Sequence, residues 1–171
     1  YEEQGRLGDA IREYQAALRI DQNHADAHIG LGTAYVEQGR LEEAVGEFQA
    51  VLRIDPDHAE ARSKLDAVRR QQEQLDDRVV ERGAALRTNP NDAEAHVNLG
   101  VAYERQGRWD DAIREYQAAL RIDPIDIEAH VNLGVAYGEQ GRWDDATREY
   151  QAALRLDPNN AVAHYNLGVA Y

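Results

Sequence analysis

The sequence has no cysteine, which rules out disulfides, thiolate catalysis and cysteine-ligated zinc. That absence does not decide the compartment. It also has no methionine, a single lysine (Lys64), a single serine (Ser63) and three threonines (Thr33, Thr88, Thr147), so hydroxyl nucleophiles are scarce. No apolar run reaches the roughly 18 residues that a bilayer-spanning helix needs. Positive charge is short as well. Nineteen Lys and Arg face 32 Asp and Glu, a net charge of -13, and this argues against binding a phosphate backbone. There is no glycine-rich phosphate loop. Carboxylate pairs are expected by chance at this acidic content, so no catalytic constellation emerges and a non-enzymatic chain is expected, with no cofactor and no metal. His24 and His28 have a helical i, i+4 zinc spacing but lack a third ligand nearby.

Against these absences stands a repeat. The four prolines, Pro56, Pro90, Pro124 and Pro158, are each 34 residues apart in a chain of 171. A fixed period of this size signals stacked supersecondary units. Leu31, Leu65, Leu99, Leu133 and Leu167 share one phase. Gly32, Gly100, Gly134 and Gly168 share another, and Gly5, Gly39, Gly107 and Gly141 a third. Ala10, Ala44, Ala112 and Ala146 form a small-residue column, and Tyr14, Phe48, Tyr116 and Tyr150 an aromatic one.

One unit reads as two helices. His96, Leu99, Gly100 and Tyr103 follow i, i+3, i+4, i+7 spacing over 93–106, and Gly107 then breaks the helix. Asp110 and Asp111 favour the next helix start through its dipole. That helix, about 110–122, ends at Asp123-Pro124, because the residue before proline leaves the α region. Gly100 and Ala112 are small where the helices approach closely, with Tyr103 and Tyr116 filling the space between units.

His96, Leu99, Gly100, Tyr103, Ala112, Tyr116, Ala119 and Pro124 closely resemble the tetratricopeptide repeat pattern, and the match recurs from His130 to Pro158. The departure is the first column, where the family often has Trp and this chain has His28, His96, His130 and His164, expected to fill the same packing slot. The resemblance covers essentially the whole chain. It implies an all-α, right-handed solenoid of antiparallel helix pairs with the first helices lining a concave groove. The expected organisation is a second helix of a truncated repeat over 1–24, repeats over 25–58, 93–126 and 127–160, and a lone first helix over 161–171. Tyr1 and Tyr171 fall in one column five periods apart. The chain is therefore expected to be a fragment of a longer array or to stack end to end.

Residues 59–92 keep the phase and retain Leu65, Leu75, Ala85, Leu86 and Pro90. Arg62, Asp66, Arg69, Glu73, Arg78 and Arg82 replace the His, Gly, Tyr, Gly, Ala and aromatic columns. Two readings stay open. One is a distorted hairpin, since Leu75-Asp76-Asp77 mimics the helix start at Trp109-Asp110-Asp111. The other is one long helix acting as a hinge, with an apolar seam of Leu65, Val68, Leu75, Val79 and Leu86.

Family geometry places a second face of the first helices on the groove. Its residues are Glu94, Val97, Asn98, Val101, Glu104 and Arg105, with Glu128, Val131, Asn132 and Val135 in the next unit and Asn166 and Val169 in the last. A carboxamide both donates and accepts, so the Asn98, Asn132 and Asn166 column is suited to pairing with a peptide backbone. It is similar to the asparagine ladder in the repeat superhelix of O-linked N-acetylglucosamine transferase. The family's carboxylate clamp of Lys, Asn and Arg is matched only at the Asn positions. With Asp26, Glu37 and Glu139 added, the face is acidic and suits a neutral or basic protein segment. The expected function is a protein-interaction scaffold that binds a partner peptide or helix. The alternatives are self-assembly through the incomplete terminal repeats, giving a homo-oligomer, or the repeat region of a larger enzyme. Neither nucleic acid nor membrane is an expected partner.

Overall fold

The computed structural model describes the backbone of residues 2–171 and the side chains from Arg6 onward; the column position assigned to Tyr1 lies outside the described residues. Nine helices and no strand are present among the described residues: α1 (Glu2–Ile20), α2 (Ala25–Glu37), α3 (Leu41–Ile54), α4 (Ala59–Thr88), α5 (Ala93–Arg105), α6 (Trp109–Ile122), α7 (Ile127–Glu139), α8 (Trp143–Leu156) and α9 (Ala161–Ala170). The expected all-α fold is present. The chain divides into two compact units, residues 1–74 and 75–171.

Local chemistry sets the regular helix ends. Gly39, Gly107 and Gly141 sit at φ of 74°, 70° and 72°, the left-handed region that lets a helix stop and reverse within three residues. At each following helix start an Arg stacks on the preceding Tyr ring, as Arg108 does over Tyr103 at 4.3 Å. First helices are capped by a side chain that accepts from the third residue on, from Asp92 to Ala95 (3.0 Å) and from Asp126 to Ala129 (3.0 Å). His24 caps α2 in the same way, its Nδ1 accepting from the Ala27 amide, so its ring belongs to the helix start rather than to a metal site. The second helices end at an extended Asp before Pro, as at Asp123.

Within each pair the small column has a steric reason. A Cβ placed on Gly100 would lie 2.5 Å from the Tyr116 ring, and one on Gly134 the same distance from Tyr150. Ala112, Tyr116, Ala119 and Ala146 are fully buried and join Tyr137 and Tyr150 in the core of the second unit. In the first unit Ile29, Val51 and Ala61 form the corresponding contact between α2, α3 and the start of α4.

Residues 59–88 do not form the hairpin. They are one unbroken 30-residue helix, α4, and the boundary between the two compact units falls inside it. Leu75-Asp76-Asp77, read as a helix start, lies in its middle. Gly5, placed by phase among the turn glycines, likewise falls within α1.

Candidate functional site

Most of the residues expected on the groove sit on α5, α7 and α9 of the second unit. α5 packs beside α7, and α7 beside α9, so their exposed faces form a row. Asn98, Glu94 and Glu128 are exposed, Val169 is exposed, and Asn132, Asn166, Val101, Val135 and Glu104 are half-buried. In the first unit Asp26 and Glu37 are exposed on α2.

Two predicted contact residues are corrected. Val97 and Val131 are only 5% and 8% exposed. Val97 joins the core of the second unit, and Val131 packs against Ala153 and Ala163. They fill the seam between consecutive units and offer no surface to a ligand. The residue one position on is more accessible, Asn98 being exposed and Asn132 half-buried.

Asn98 already has a neighbour. The Arg82 guanidinium of α4 donates to its side-chain oxygen at 2.8 Å and to its backbone carbonyl at 3.0 Å. Arg82 stands in the aromatic column, and the equivalent ring of Tyr14 rests on Gly30, the residue in the asparagine column of α2. An arginine in that column thus reaches the same place with hydrogen bonds instead of a ring. Arg82, Ala85, Asp92, Glu94, Ala95 and Asn98 line a shallow cleft there.

The histidine column is more polar than a tryptophan slot. In α2, α5 and α7 the ring bridges to the second helix of its pair: His96 Nδ1 lies 2.7 Å from Glu115, His130 Nδ1 2.7 Å from Glu149, and His28 Nδ1 2.6 Å from Glu47. Nε2–H of His96 donates to the Pro90 carbonyl at 3.1 Å, tying the ring to the preceding loop. Each Glu is 19 residues from its His, a pairing that local spacing does not reveal.

Glu104 is also engaged. The Tyr116 hydroxyl donates to it at 2.8 Å. Burial first, and then the Glu104 charge, raise the Tyr116 pKa far above its usual range. Burial pushes that of Tyr150 up to about 12, with Glu139 adding to the shift. Another contact recurs within the second unit at 34-residue spacing: Gln140 Nε2 donates to Asp110 (2.7 Å), and Gln106 donates to Asp76 in α4 (2.9 Å). No group of three or more His, Cys, Asp or Glu suited to a metal occurs among the described residues. No described helix is long and apolar enough to cross a membrane.

Family models described as tetratricopeptide repeat match residues 1–68 and 84–114, and one described as TPR repeat matches 105–141 and 136–171. The chain belongs to the tetratricopeptide repeat family. The unmatched stretch of this repeat chain, 69–83, is the middle of α4. Its fold is similar to the crystal structure of YrrB, described as a TPR protein with an unusual peptide-binding site, with a TM-score of 0.52 and 26% identity over 96% of this chain and 84% of that one. It is also similar to MamA, with a TM-score of 0.49 and 27% identity over 94% of each chain, and to MamA from Desulfovibrio magneticus RS-1, with a TM-score of 0.49 and 24% identity over 93% of this chain and 90% of that one. No curated protein matches the sequence.

Proposed function

We propose that this tetratricopeptide repeat protein is a protein-interaction scaffold that holds a neutral or basic peptide segment along the exposed face of α5, α7 and α9. The observation that supports this reading is the side-by-side packing of those helices, on which Asn98, Asn132 and Asn166 hold equivalent repeat positions. A carboxamide pairs with a peptide N–H and C=O whatever the peptide's side chains are. Exposed Glu94 and Glu128 supply the acidic rim, and Val135 and Val169 the apolar contact. The peptide-binding site named for YrrB, whose fold this chain shares, supports the assignment.

The rungs are unequal. Arg82 occupies the acceptor side of Asn98, so Asn132 and Asn166 carry most of the backbone pairing. At about 1 kcal/mol net for each hydrogen bond, one lost rung weakens binding about fivefold and two about thirtyfold. The test is a peptide array followed by fluorescence polarisation on its best ligands. Basic and neutral peptides are expected to bind, more weakly as salt rises, and Asn132→Ala with Asn166→Ala is expected to reduce affinity by that factor. A preference for acidic peptides, or affinities indifferent to both substitutions, overturns the reading.

A further inference from the structure

We propose that the cleft between the second half of α4 and α5 receives an amphipathic helix of a partner protein, which takes the place a first helix holds in the regular pairs. This site is separate from the asparagine row and does not rest on it. The second half of α4, residues 75–88, already stands as a second helix beside α5. Gln106 donates to Asp76 as Gln140 donates to Asp110, and Arg82 donates to Asn98. What this half lacks is a first helix of its own. Residues 59–72, which stand in that phase, run straight on into it as part of α4.

A regular seam between successive repeats is closed by three residues, a branched aliphatic side chain of a first helix seated on two short ones. Val131 sits on Ala153 and Ala163, and Ile29 on Val51 and Ala61. Val97, Ala119 and Ala129 share one core in the same phase. The equivalent seat on α4 and α5 is Ala85 and Ala95, and it is open. Val51, Ala119 and Ala153 are completely buried, as are Ala61, Ala129 and Ala163, but Ala85 is exposed and Ala95 half-buried. Both line the cleft, with Arg82, Asp92, Glu94 and Asn98 around them. The residue in phase with the missing aliphatic side chain is Ser63. It lies on the same straight helix as Ala85, 22 positions before it, and cannot fold over the seat.

The surroundings of the seat define the chemistry of the incoming helix. One position before the aliphatic residue, a regular first helix has a histidine facing a glutamate of the second helix, as His96 faces Glu115 at 2.7 Å. Glu81 keeps that carboxylate on α4 and is exposed. Three positions after the aliphatic residue, the regular helices have Gly100 or Gly134 under a tyrosine ring. On α4 Arg82 puts a guanidinium in the column of that ring. The complementary helix therefore presents, over two turns, a basic residue, Val or Ile directly after it, and Asp or Glu three positions further on. Its carboxylate shares the Arg82 guanidinium with Asn98, and its aliphatic side chain covers Ala85 and Ala95. Arg78 lies one turn away from this contact and stays in water.

The test titrates the whole 171-residue chain into a fluorescent peptide with the sequence of α7, Ile127 to Glu139, carrying Gly134→Asp. The peptide brings His130, Val131 and the added carboxylate in the required order, and a lactam staple supplies the helicity that so short a free peptide lacks. Fluorescence polarisation is expected to give a dissociation constant below about 1 mM. Ala85→Leu in the protein fills the seat, and Val131→Asp in the peptide removes the side chain that enters it. Each is expected to weaken binding at least about tenfold. Ala85 is exposed, so its variant keeps the fold, which far-UV circular dichroism checks, and the peptide variant probes the same seat on the native chain. Asn132→Ala with Asn166→Ala is expected to leave the peptide bound as before. Absence of binding at about 1 mM peptide overturns the proposal. So does binding indifferent to Ala85→Leu and Val131→Asp, or binding lost in the asparagine variant. Light scattering in which the chain alone forms a dimer that Ala85→Leu abolishes also overturns it, because the occupant is then a second copy.

Discussion

Residues 93–122 and residues 59–88 stand in the same phase of the repeat, yet the first is a hairpin of two helices and the second a single one. The difference lies in three columns. Where the hairpin has Gly107 at φ 70°, α4 has Glu73, for which the left-handed region is strained. Where the hairpin has Gly100, touched by the Tyr116 ring, α4 has Asp66. Where it has Ala112, with no exposed surface, α4 has Arg78. A folded-back second half would bury an unpaired arginine and aspartate between the helices, which costs more than the contact returns. Running straight on, the helix keeps Arg78 and Asp66 in water and still buries Leu65 and Val68. Tetratricopeptide pairing is thus a property of a few small residues, not of the helix-forming character of the segment.

The largest break in that comparison comes from adding one methyl group. Gly100→Ala puts a carbon 2.5 Å from a ring that has no room to retreat, since Tyr116 is fully buried. Overpacking of this kind is expected to cost about 3 kcal/mol. In α4 the same change has the opposite sign. A Cβ on Gly83 meets nothing within 4 Å, so Gly83→Ala removes backbone freedom from the unfolded chain and is expected to stabilise by about 1 kcal/mol. Urea unfolding followed at the far-UV signal measures both, and equal effects at the two positions would refute the steric account of the small column.

A smaller effect is expected at the turn. Gly107→Ala keeps every side-chain contact, because its Cβ would meet nothing, but demands φ near 70° from a residue with a Cβ. The expected loss is about 1 kcal/mol, with the α5 and α6 amides exchanging faster than in the native protein. No such sensitivity is expected at Glu73, which lies in the helical interior of α4. Glu73→Ala there sharpens the contrast as a control with little change in stability.

The regular pairs were legible because their stops are written in residues with one dominant use, glycine at the turn and Asp-Pro at the second helix end. α4 was open because two signals disagreed. The missing breakers favour a long helix, and Leu75-Asp76-Asp77 favours a new start. Asp76 kept the other half of that role, since Gln106 donates to it as Gln140 does to Asp110. At the candidate site the recurrence of Asn98, Asn132 and Asn166 follows from spacing, while their assignment to a groove rests on the family resemblance. The burial of Val97 and Val131 does not follow from spacing, because helical periodicity assigns a residue to a face without saying which neighbour covers it. The partners of His96 and Asn98 come from other helices, 19 and 16 residues away.

The last difference between the two regions is titratable. α5–α8 carry Tyr116 and Tyr150 in the core, and α4 has no tyrosine. A buried phenol with a raised pKa binds its proton more tightly in the folded state than in the unfolded one, where it titrates near 10. Its contribution is therefore complete below about pH 10 and fades as pH climbs towards the folded value, about 12 for Tyr150 and higher for Tyr116. Stability is expected to fall steeply above pH 10. In a phenolate absorbance titration these two rings should ionise together with unfolding. Tyr116→Phe separates burial from the hydrogen bond to Glu104. It is expected to cost about 1 kcal/mol at neutral pH while flattening the alkaline loss. If the variant lost stability above pH 10 as steeply as the native protein, the buried phenol would not be its source.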